Sequence, residues 1–323
     1  MRSKSTVRLS PEDWSKYWRQ PVITTFSQQF AENYDLEIQA YWDERFADVK
    51  DGGHIIDLAT GNGAVALLAA HYAQEHGRDF SITGIDYADI QPSSDLASRP
   101  SVLPLLSSIR FLSNTNIEST GLAAGSASAI VSQFGFEYAE PEAAVAEAYR
   151  LLAPGGRISL IMHHVASGVL KETDEGLAQM QYMMRKERLD ERVEAVIRST
   201  ASVAKTKAAR QKLEATKKRL LARASKSEPN GFIQSVAPSF LHALEGMPDA
   251  TITERLRFVE KMRVEVRAYQ ERMADLKSAA MDQRAFAALQ ASLASCGFSD
   301  ITDGVLRYGK SQVLTGWTLD AKK

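Results

Sequence analysis

The chain has 323 residues and a mass of 35.6 kDa, which fits one decorated α/β domain or a domain with a subdomain. Hydrophobic residues make up 44% and charged residues 24%, which excludes a wholly disordered, collagen-like or disulfide-stapled chain. The formal net charge is -1, so the whole molecule has no strong field that favours nucleic acid or an acidic surface. Any charged partner must therefore bind to a local patch.

The cellular setting follows from what the sequence lacks. A single cysteine, Cys296, cannot form an intramolecular disulfide, and the N-terminal residues contain no apolar run of signal-peptide length. No stretch approaches the roughly 18 consecutive apolar residues of a membrane-spanning helix. We therefore expect a cytoplasmic protein with no membrane partner.

Aromatic residues dominate the first segment of the chain. In residues 1–49, side chains such as Trp14, Trp18 and Tyr34 recur near three- and four-residue spacings, which is typical of helices. We expect an N-terminal helical cap whose aromatic side chains pack on the rest of the protein, as core or as a lid.

From His54 the pattern changes to short apolar runs that alternate with helical stretches. Such alternation predicts βαβ units and a parallel sheet. The pattern covers residues 50–164, stops, and resumes over 283–323 with one helix and two strands. Residues 165–282 between them are expected to be a helical insertion that serves as a lid, a substrate-binding subdomain or a dimerisation subdomain.

The insertion is basic. It nets +5, while the remainder of the chain nets -6, and residues 198–226 contain ten basic residues and one acidic residue. We expect a long helix there, broken at residues 227–231, and a second long helix over 251–276, together a helical hairpin. The apolar seam of the first helix consists of Val203, Leu213, Leu220 and Leu221.

The basic run has three interpretations: a solvated helix face, a surface for an anionic partner or substrate, and an RNA contact. The run from 198 to 226 contains no aromatic residue, which argues against extended nucleic-acid binding, because such surfaces use stacking as well as charge. A homodimer through the insertion is a further possibility, since apolar seams on long helices need to be buried.

The most informative motif runs from His54 to Gly63, an apolar strand that enters a Gly-x-Gly turn and then a helix. Such a turn brings backbone close to a ligand at the carboxyl edge of the first strand. A dinucleotide site usually has a third glycine, where this chain has Ala66, so the turn alone does not decide the ligand. Asp57 at the end of the strand either folds the loop through its amides or meets a cationic ligand group.

These residues resemble the first motif of the class I S-adenosylmethionine-dependent methyltransferases, Asp-x-Gly-x-Gly-x-Gly, with Ala59 in place of the first glycine. We expect this replacement to be mild, because alanine still fits a tight turn. The resemblance continues at 84–87, 114–117, 126–136 and 147–160, in matching order and spacing. It implies a Rossmann-like seven-stranded methyltransferase sheet of the α/β class, with an N-terminal helical cap and a large helical insertion between the fifth strand and the last helix.

The resemblance also implies S-adenosyl-L-methionine as the cofactor and assigns roles to single residues. Asp86 is expected to bind both ribose hydroxyls, Tyr87 to lie beside the adenine, and Asn116 to replace the usual acidic residue near the adenine amino group. Tyr34 is expected to cover the methionine end of the cofactor, or else to be an ordinary packing residue. The full set of implied cofactor-binding residues is Tyr34, Asp57, Ala59, Gly61, Gly63, Asp86, Tyr87, Asn116, Ile117, Ser132 and Gln133.

Methyl transfer needs proximity and, for a hydroxyl nucleophile, removal of a proton. His163 and His164 close the fifth strand at the edge where ligands bind, so one of them is a candidate base, with a purely structural histidine as the alternative. Glu137 is the third candidate, as a base or as a group that orients an amine, unless it is merely solvated. No cysteine or carboxylate stands at ligand spacing around the histidines, so we expect no metal.

The sequence therefore predicts a methyltransferase that acts on a small-molecule acceptor at oxygen, nitrogen or carbon. The alternatives are methylation of RNA or protein through the basic hairpin, and a non-catalytic methyltransferase-fold module for binding or oligomerisation.

Overall fold

The computed structural model describes residues 8–25, 30, 32–199, 202–226 and 231–323. The chain divides into two compact units, Met1–Gly168 with Asp275–Lys323, and Val169–Ala274. The second unit lies within the segment 165–282 that the change in composition marks as an insertion.

The first unit contains a seven-stranded sheet, which confirms the predicted fold class. Its strands are β1 (His54–Leu58), β2 (Ser81–Ile85), β3 (Ile109–Leu112), β4 (Ala127–Gln133), β5 (Leu152–His163), β6 (Ser299–Tyr308) and β7 (Val313–Lys322). The spatial order is β3-β2-β1-β4-β5-β7-β6. Strands β1 to β5 are parallel, and β7 is antiparallel to both β5 and β6. The carboxyl ends of β1, β2, β3, β4 and β5 therefore share one edge of the sheet.

Helices cover both faces of this sheet. They are α1 (Pro11–Trp18), α2 (Leu36–Ala47), α3 (Ala64–His76), the short α4 (Pro92–Asp95) and α5 (Leu103–Leu106), α6 (Pro141–Leu151) and α12 (Gln283–Cys296), with a 3-10 turn at Phe136–Tyr138. Alternate strand residues serve opposite faces: Ile55 packs with α2 and α3, whereas Ile56 packs with α6 and α12. Strands buried on both faces are the reason why the sequence has continuous apolar runs here.

The second unit is helical. Its elements are α7 (Gly168–Gln181), a π-helical turn (Tyr182–Lys186), α8 (Leu189–Arg198), α9 (Val203–Ala224), α10 (Phe232–Glu245) and α11 (Ile252–Ala279), the ends of α7 and α11 belonging to the first unit. The two long helices predicted from the sequence correspond to α9 and α11, but α10 lies between them in the chain. The prediction of a simple hairpin is therefore wrong, because the apolar run over 232–245 forms a further helix that buries its own apolar residues.

The predicted helix over 198–226 also differs in detail. Helix α8 ends at Arg198 and α9 begins at Val203. The predicted break at 227–231 falls, except for its last residue, outside the described residues.

The apolar seam predicted for the basic helix is only half correct. Leu213 and Leu220 are buried, together with Thr216 and Ala224, at the three- and four-residue spacing of one helix face. Val203 and Leu221 are 89% and 68% exposed, because they lie off that face.

Candidate active site

The turn after β1 has left-handed backbone at three residues. The φ angles of Ala59, Gly61 and Gly63 are 56°, 55° and 89°. This conformation costs a residue with a Cβ roughly 1–2 kcal/mol. The Ala59 methyl group fits because it lies against Gly135, where an added Cβ would be 2.4 Å from the Ala59 Cβ. A glycine in the loop after β4 thus accommodates the departure from glycine at position 59.

Asp57 folds this turn from within. Its Oδ2 accepts hydrogen bonds from the Thr60 hydroxyl at 2.5 Å and from the Ala66 amide at 3.1 Å, and the residue is 1% exposed. Burial raises the pKa of the Asp57 carboxyl to about 7, and the nearby charge of Asp86 adds to this effect. Of the two roles open from the sequence, these contacts favour loop folding over contact with a cationic ligand group.

Asp86 stands at the end of β2, next to the same turn. Its Oδ2 accepts from the Gly61 amide at 2.7 Å and its Oδ1 from the Ala88 amide at 2.8 Å. The residue is 7% exposed, and burial raises the pKa of its carboxyl to about 6. Each carboxylate oxygen has a second lone-pair site. The carboxylate is thus oriented by backbone and retains capacity for two further donors.

The residues predicted at the adenine end do not all share one environment. Tyr87 is 47% exposed, and Asn116 is exposed, with its Oδ1 accepting from the Glu118 amide at 3.3 Å. The loop of Asn116 is tied to β2, since the Thr115 amide donates to the Asp86 carbonyl at 2.8 Å. Ile117 is buried in the core that contains α6 and α12, so its contacts are those of a packing residue.

The end of β4 contributes two polar side chains, one that is hydrogen-bonded within the fold and one that retains an unpaired donor among the described residues. The Ser132 hydroxyl donates to the Leu58 carbonyl at 2.7 Å and is fully buried between strands. The Gln133 Oε1 accepts from the Trp42 indole at 2.6 Å. The Gln133 Nε2 is buried and has no hydrogen-bond partner among the described residues. A buried amide donor without a partner is costly, which makes it a candidate ligand contact.

Tyr34 lies beside this amide. Burial of its hydroxyl, which lies near the side chains of Thr25 and Gln133, raises the pKa of the phenol. Its ring contacts Phe30 and Phe134, with centroids 5.0 and 6.5 Å away. Phe134 itself has a left-handed φ of 56°, which is a strained backbone conformation for a bulky residue. The structure thus places Tyr34 near Gln133, and its role at the methionine end of the cofactor stays a prediction.

Of the two histidines, His163 faces this edge. It is 2% exposed and its ring stacks on Phe134 with centroids 4.4 Å apart. Burial lowers the pKa of His163 to about 3, so the imidazole is neutral and weakly basic at pH 7. His164 points to the opposite face, where it stacks on Trp317 and its Nδ1 accepts from the Ala166 amide at 2.9 Å. Alternation along β5 separates the pair.

Glu137 is brought next to His163 by the 3-10 turn. Its Oε1 accepts from the His163 amide at 2.6 Å. Its Oε2 is buried and has no hydrogen-bond partner among the described residues. Burial raises the pKa of the Glu137 carboxyl to about 7. A carboxyl group with this pKa and a free oxygen has the properties of an acid–base catalyst at neutral pH.

Two residues at this edge were not assigned from the sequence. The Trp18 ring packs on Gly61, and the Asn62 side-chain nitrogen donates to the Trp18 and Val22 carbonyls at 2.8 and 2.9 Å. The aromatic pattern of the N-terminal segment shows that Trp18 packs on something but not on what. Asn62 occupies a variable motif position, so no signal was available for it.

Two absences concern only the part of the chain that the structure describes. There, no group of three or more His, Cys, Asp or Glu side chains is arranged to hold a metal ion. No described helix combines the length and apolarity needed to cross a bilayer. A metal-free site and a cytoplasmic location both stay predictions.

Comparisons with known proteins match the segment that builds this edge. A family described as a methyltransferase domain matches residues 56–160. A demethylmenaquinone methyltransferase from Thermus thermophilus is 34% identical over 128 residues, which are 37% of this chain and 53% of that protein. The chain thus spans about half the length of this curated relative.

Solved structures also match this chain, at low sequence identity. A putative S-adenosyl-L-methionine-dependent methyltransferase from Methanococcus maripaludis is 17% identical with a TM-score of 0.38, covering 66% of this chain and 88% of its own. A possible exported protein from Bordetella parapertussis is 14% identical with a TM-score of 0.42, covering 98% of this chain and 80% of its own.

Proposed function

We propose that this chain, whose residues 56–160 match a methyltransferase-domain family, is a class I methyltransferase that uses S-adenosylmethionine to methylate a small-molecule acceptor. The acceptor atom is oxygen, nitrogen or carbon. The observation that carries the proposal is the buried Asp86 carboxylate, held by the Gly61 and Ala88 amides where β1 and β2 end side by side.

The residues at this edge suit the cofactor chemically. Asp86 has acceptor sites left for two hydroxyl groups, as a ribose requires. The unpartnered Gln133 Nε2 suits a carboxylate or carbonyl oxygen. We assign the ribose to Asp86 and the methionine end to Gln133 and Tyr34. When bound, S-adenosylmethionine supplies a methyl group on a cationic sulfur, which is activated for attack by a nucleophile.

Glu137 is the base that we propose for acceptors that lose a proton. The free Oε2 takes the proton from the acceptor, and a carboxyl pKa of about 7 makes both protonation states accessible at neutral pH. His163 is the weaker candidate, because a pKa of about 3 leaves little driving force for proton uptake. His164 is the least suitable of the three candidates, because it stacks on Trp317 at the opposite face of the sheet.

Two observations support a small-molecule acceptor. The relative from Thermus thermophilus is named for one, demethylmenaquinone. In this chain, a series of ring contacts lies beside Glu137. The ring centroids are 5.7 Å apart for Trp14 and Tyr138, 6.3 Å for Tyr138 and His163, and 4.4 Å for His163 and Phe134. A wall of rings suits a flat apolar acceptor better than a charged polymer.

Calorimetric titration with S-adenosylhomocysteine tests the cofactor assignment without the acceptor. A parallel titration with NADH is the control for a dinucleotide site. We expect Asp86→Asn to weaken S-adenosylhomocysteine by about 1.5–3 kcal/mol, roughly 10- to 150-fold, because it removes a charged hydrogen-bond acceptor. Asp79→Asn, at an exposed site, is the matched control and should change nothing. Equal affinities for both variants would refute the ribose assignment.

A second function is favoured by the surface of α9, for which we propose an acidic protein partner. Helix α9 has eight basic residues and one acidic residue. Five of the basic residues are exposed and have no ion-pair partner within the described part of the chain, namely Lys205, Lys207, Arg210, Lys212 and Lys218. The other three form ion pairs with glutamates of the same unit, namely Lys217, Arg219 and Arg223. The helix has no aromatic residue for base stacking, which disfavours RNA. A homodimer through this unit stays a prediction.

Charge reversal at Lys207, Arg210 and Lys218 tests this surface without breaking internal ion pairs. We expect binding of a polyglutamate probe at low salt to be lost, since exposed charges act within about a Debye length. Reversal of Lys261, Arg267 and Lys310, which are also exposed, is the control with the same change in net charge. Equal loss in both variants, or stronger binding of poly(U) RNA than of polyglutamate, would reject an acidic protein partner.

A further inference from the structure

We propose that residues 11–25, which comprise α1 and the turn after it, are a lid over the proposed cofactor site that the contact of Trp18 with Gly61 holds closed. This inference rests on the proposed function. It assigns to Trp18 and Asn62 a role in controlling access to the site.

The contact between Trp18 and Gly61 is the primary observation. A Cβ added at Gly61 would be 2.4 Å from Cζ2 and 2.6 Å from Cη2 of the Trp18 ring. The indole therefore lies directly on the Cα of Gly61 and is 9% exposed. In a Gly-x-Gly turn at a strand end, glycine allows close approach of a ligand to the backbone. Here a side chain of the protein itself occupies that approach.

Hydrogen bonds hold the lid to the two loops that build the site. The Asn62 Nδ2 donates to the carbonyls of Trp18 and Val22 at 2.8 and 2.9 Å, and Asn62 is fully buried. On the other side, the Asp89 amide donates to the Ser15 hydroxyl at 2.8 Å. The lid thus bridges the turn after β1 and the loop after β2. Asn62, the middle residue of the Gly-x-Gly turn, holds it there by hydrogen bonds.

The packing under the lid is a small cluster that borders one of the main cores at Phe111. Trp18 is buried with Ala88 and Ile90 in a small cluster, with Trp14 and Tyr17 partly buried at its border. An eight-residue helix is not stable by itself, and a small satellite cluster opens at lower free energy than a core shared by a whole sheet. The lid is therefore able to open while the sheet stays folded.

Ligand entry then requires Trp18 to leave Gly61. Opening of the lid is a unimolecular step that precedes binding, so the observed binding rate should level off at high ligand concentration. A ring that was merely a fixed wall of an open site would produce a rate that rises linearly.

The closed contact is tested first in unliganded protein, by hydrogen–deuterium exchange of the amides of residues 12–22. Gly61→Ala places a Cβ against the Trp18 ring, whereas Gly77→Ala places one in open space at nearly the same backbone angle, with φ of 60° against 55°. We expect about tenfold faster exchange of these amides in Gly61→Ala and no change in Gly77→Ala. Equal exchange in the two variants would overturn the contact.

Stopped-flow binding of S-adenosylhomocysteine tests the gating. In the wild type and in Gly77→Ala, we expect the observed binding rate to reach a plateau as the ligand concentration rises. In Trp18→Ala, we expect the observed binding rate to rise linearly with ligand concentration and to be about tenfold faster. Binding to Trp18→Ala but not to the wild type would also support the lid. Linear rates of equal size in the wild type and Trp18→Ala would overturn the lid alone. Failure of both proteins to bind would overturn the proposed function and the lid with it.

Discussion

The buried Glu137 carboxyl makes a stability prediction that needs no substrate. Its pKa of about 7 in the folded protein exceeds its ordinary value of 4.5. The folded state therefore binds more protons than the unfolded state between these pH values, so this group lowers stability as pH rises from about 4.5 to 7. The difference between the two pKa values corresponds to about 3 kcal/mol.

Glu137→Gln removes the titration while its amide oxygen still accepts from the His163 amide. We expect the free energy of unfolding of the variant, relative to the wild type, to rise by about 3 kcal/mol between pH 4 and pH 8. Urea denaturation at several pH values measures this difference, in which the other titrating groups cancel. Glu142→Gln, at an exposed site, is the control and should follow the wild type throughout.

Parallel stability curves for Glu137→Gln and the wild type would refute the reasoning. The carboxyl would then titrate as an exposed group does, and a base with a pKa near 7 would not exist at this position. Loss of turnover in Glu137→Gln, once an acceptor is known, would then need another cause.

Three further predictions concern packing and charge. Gly135→Ala should cost about 1–3 kcal/mol in urea denaturation, because its Cβ would overlap the methyl group of Ala59, and the added change Ala59→Gly should restore part of that loss. The pKa of Glu147 is lowered to about 2, first by its hydrogen bond to Arg150, so its stabilising effect should disappear as pH falls from about 4.5 to 2, and Glu147→Gln should lose that dependence. Leu213→Ala should cost about 2–5 kcal/mol of unfolding free energy and Val203→Ala less than about 0.5, and similar costs would contradict the burial of α9.

The fold of the first unit could be predicted because it follows from local pattern. Continuous apolar runs such as 54–58 and 127–133 indicate strands buried on both faces, and their alternation with helices implies a parallel sheet. Parallel strands bring their carboxyl ends to one edge, so the polar residues that follow β1, β2 and β4 are predicted to share that edge.

The helical unit was predicted less well. The basic helix α9 has a weak apolar pattern, and burial of Leu213 but not of Val203 depends on which face meets its neighbours. Helix α10 was missed because its apolar residues lack the charged face that marks a surface helix.

By itself, the sequence determined the fold class, because the alternation of apolar runs and helices follows from periodicity, and the resemblance of its motifs to the class I methyltransferases predicted the cofactor and the residues that bind it. Only the tertiary structure decided which histidine faces that edge, that Glu137 is buried with a free oxygen, and that Trp18 lies on Gly61. Each of these properties depends on side chains from distant segments that desolvate or contact one another, and the order of residues along the chain does not contain that information.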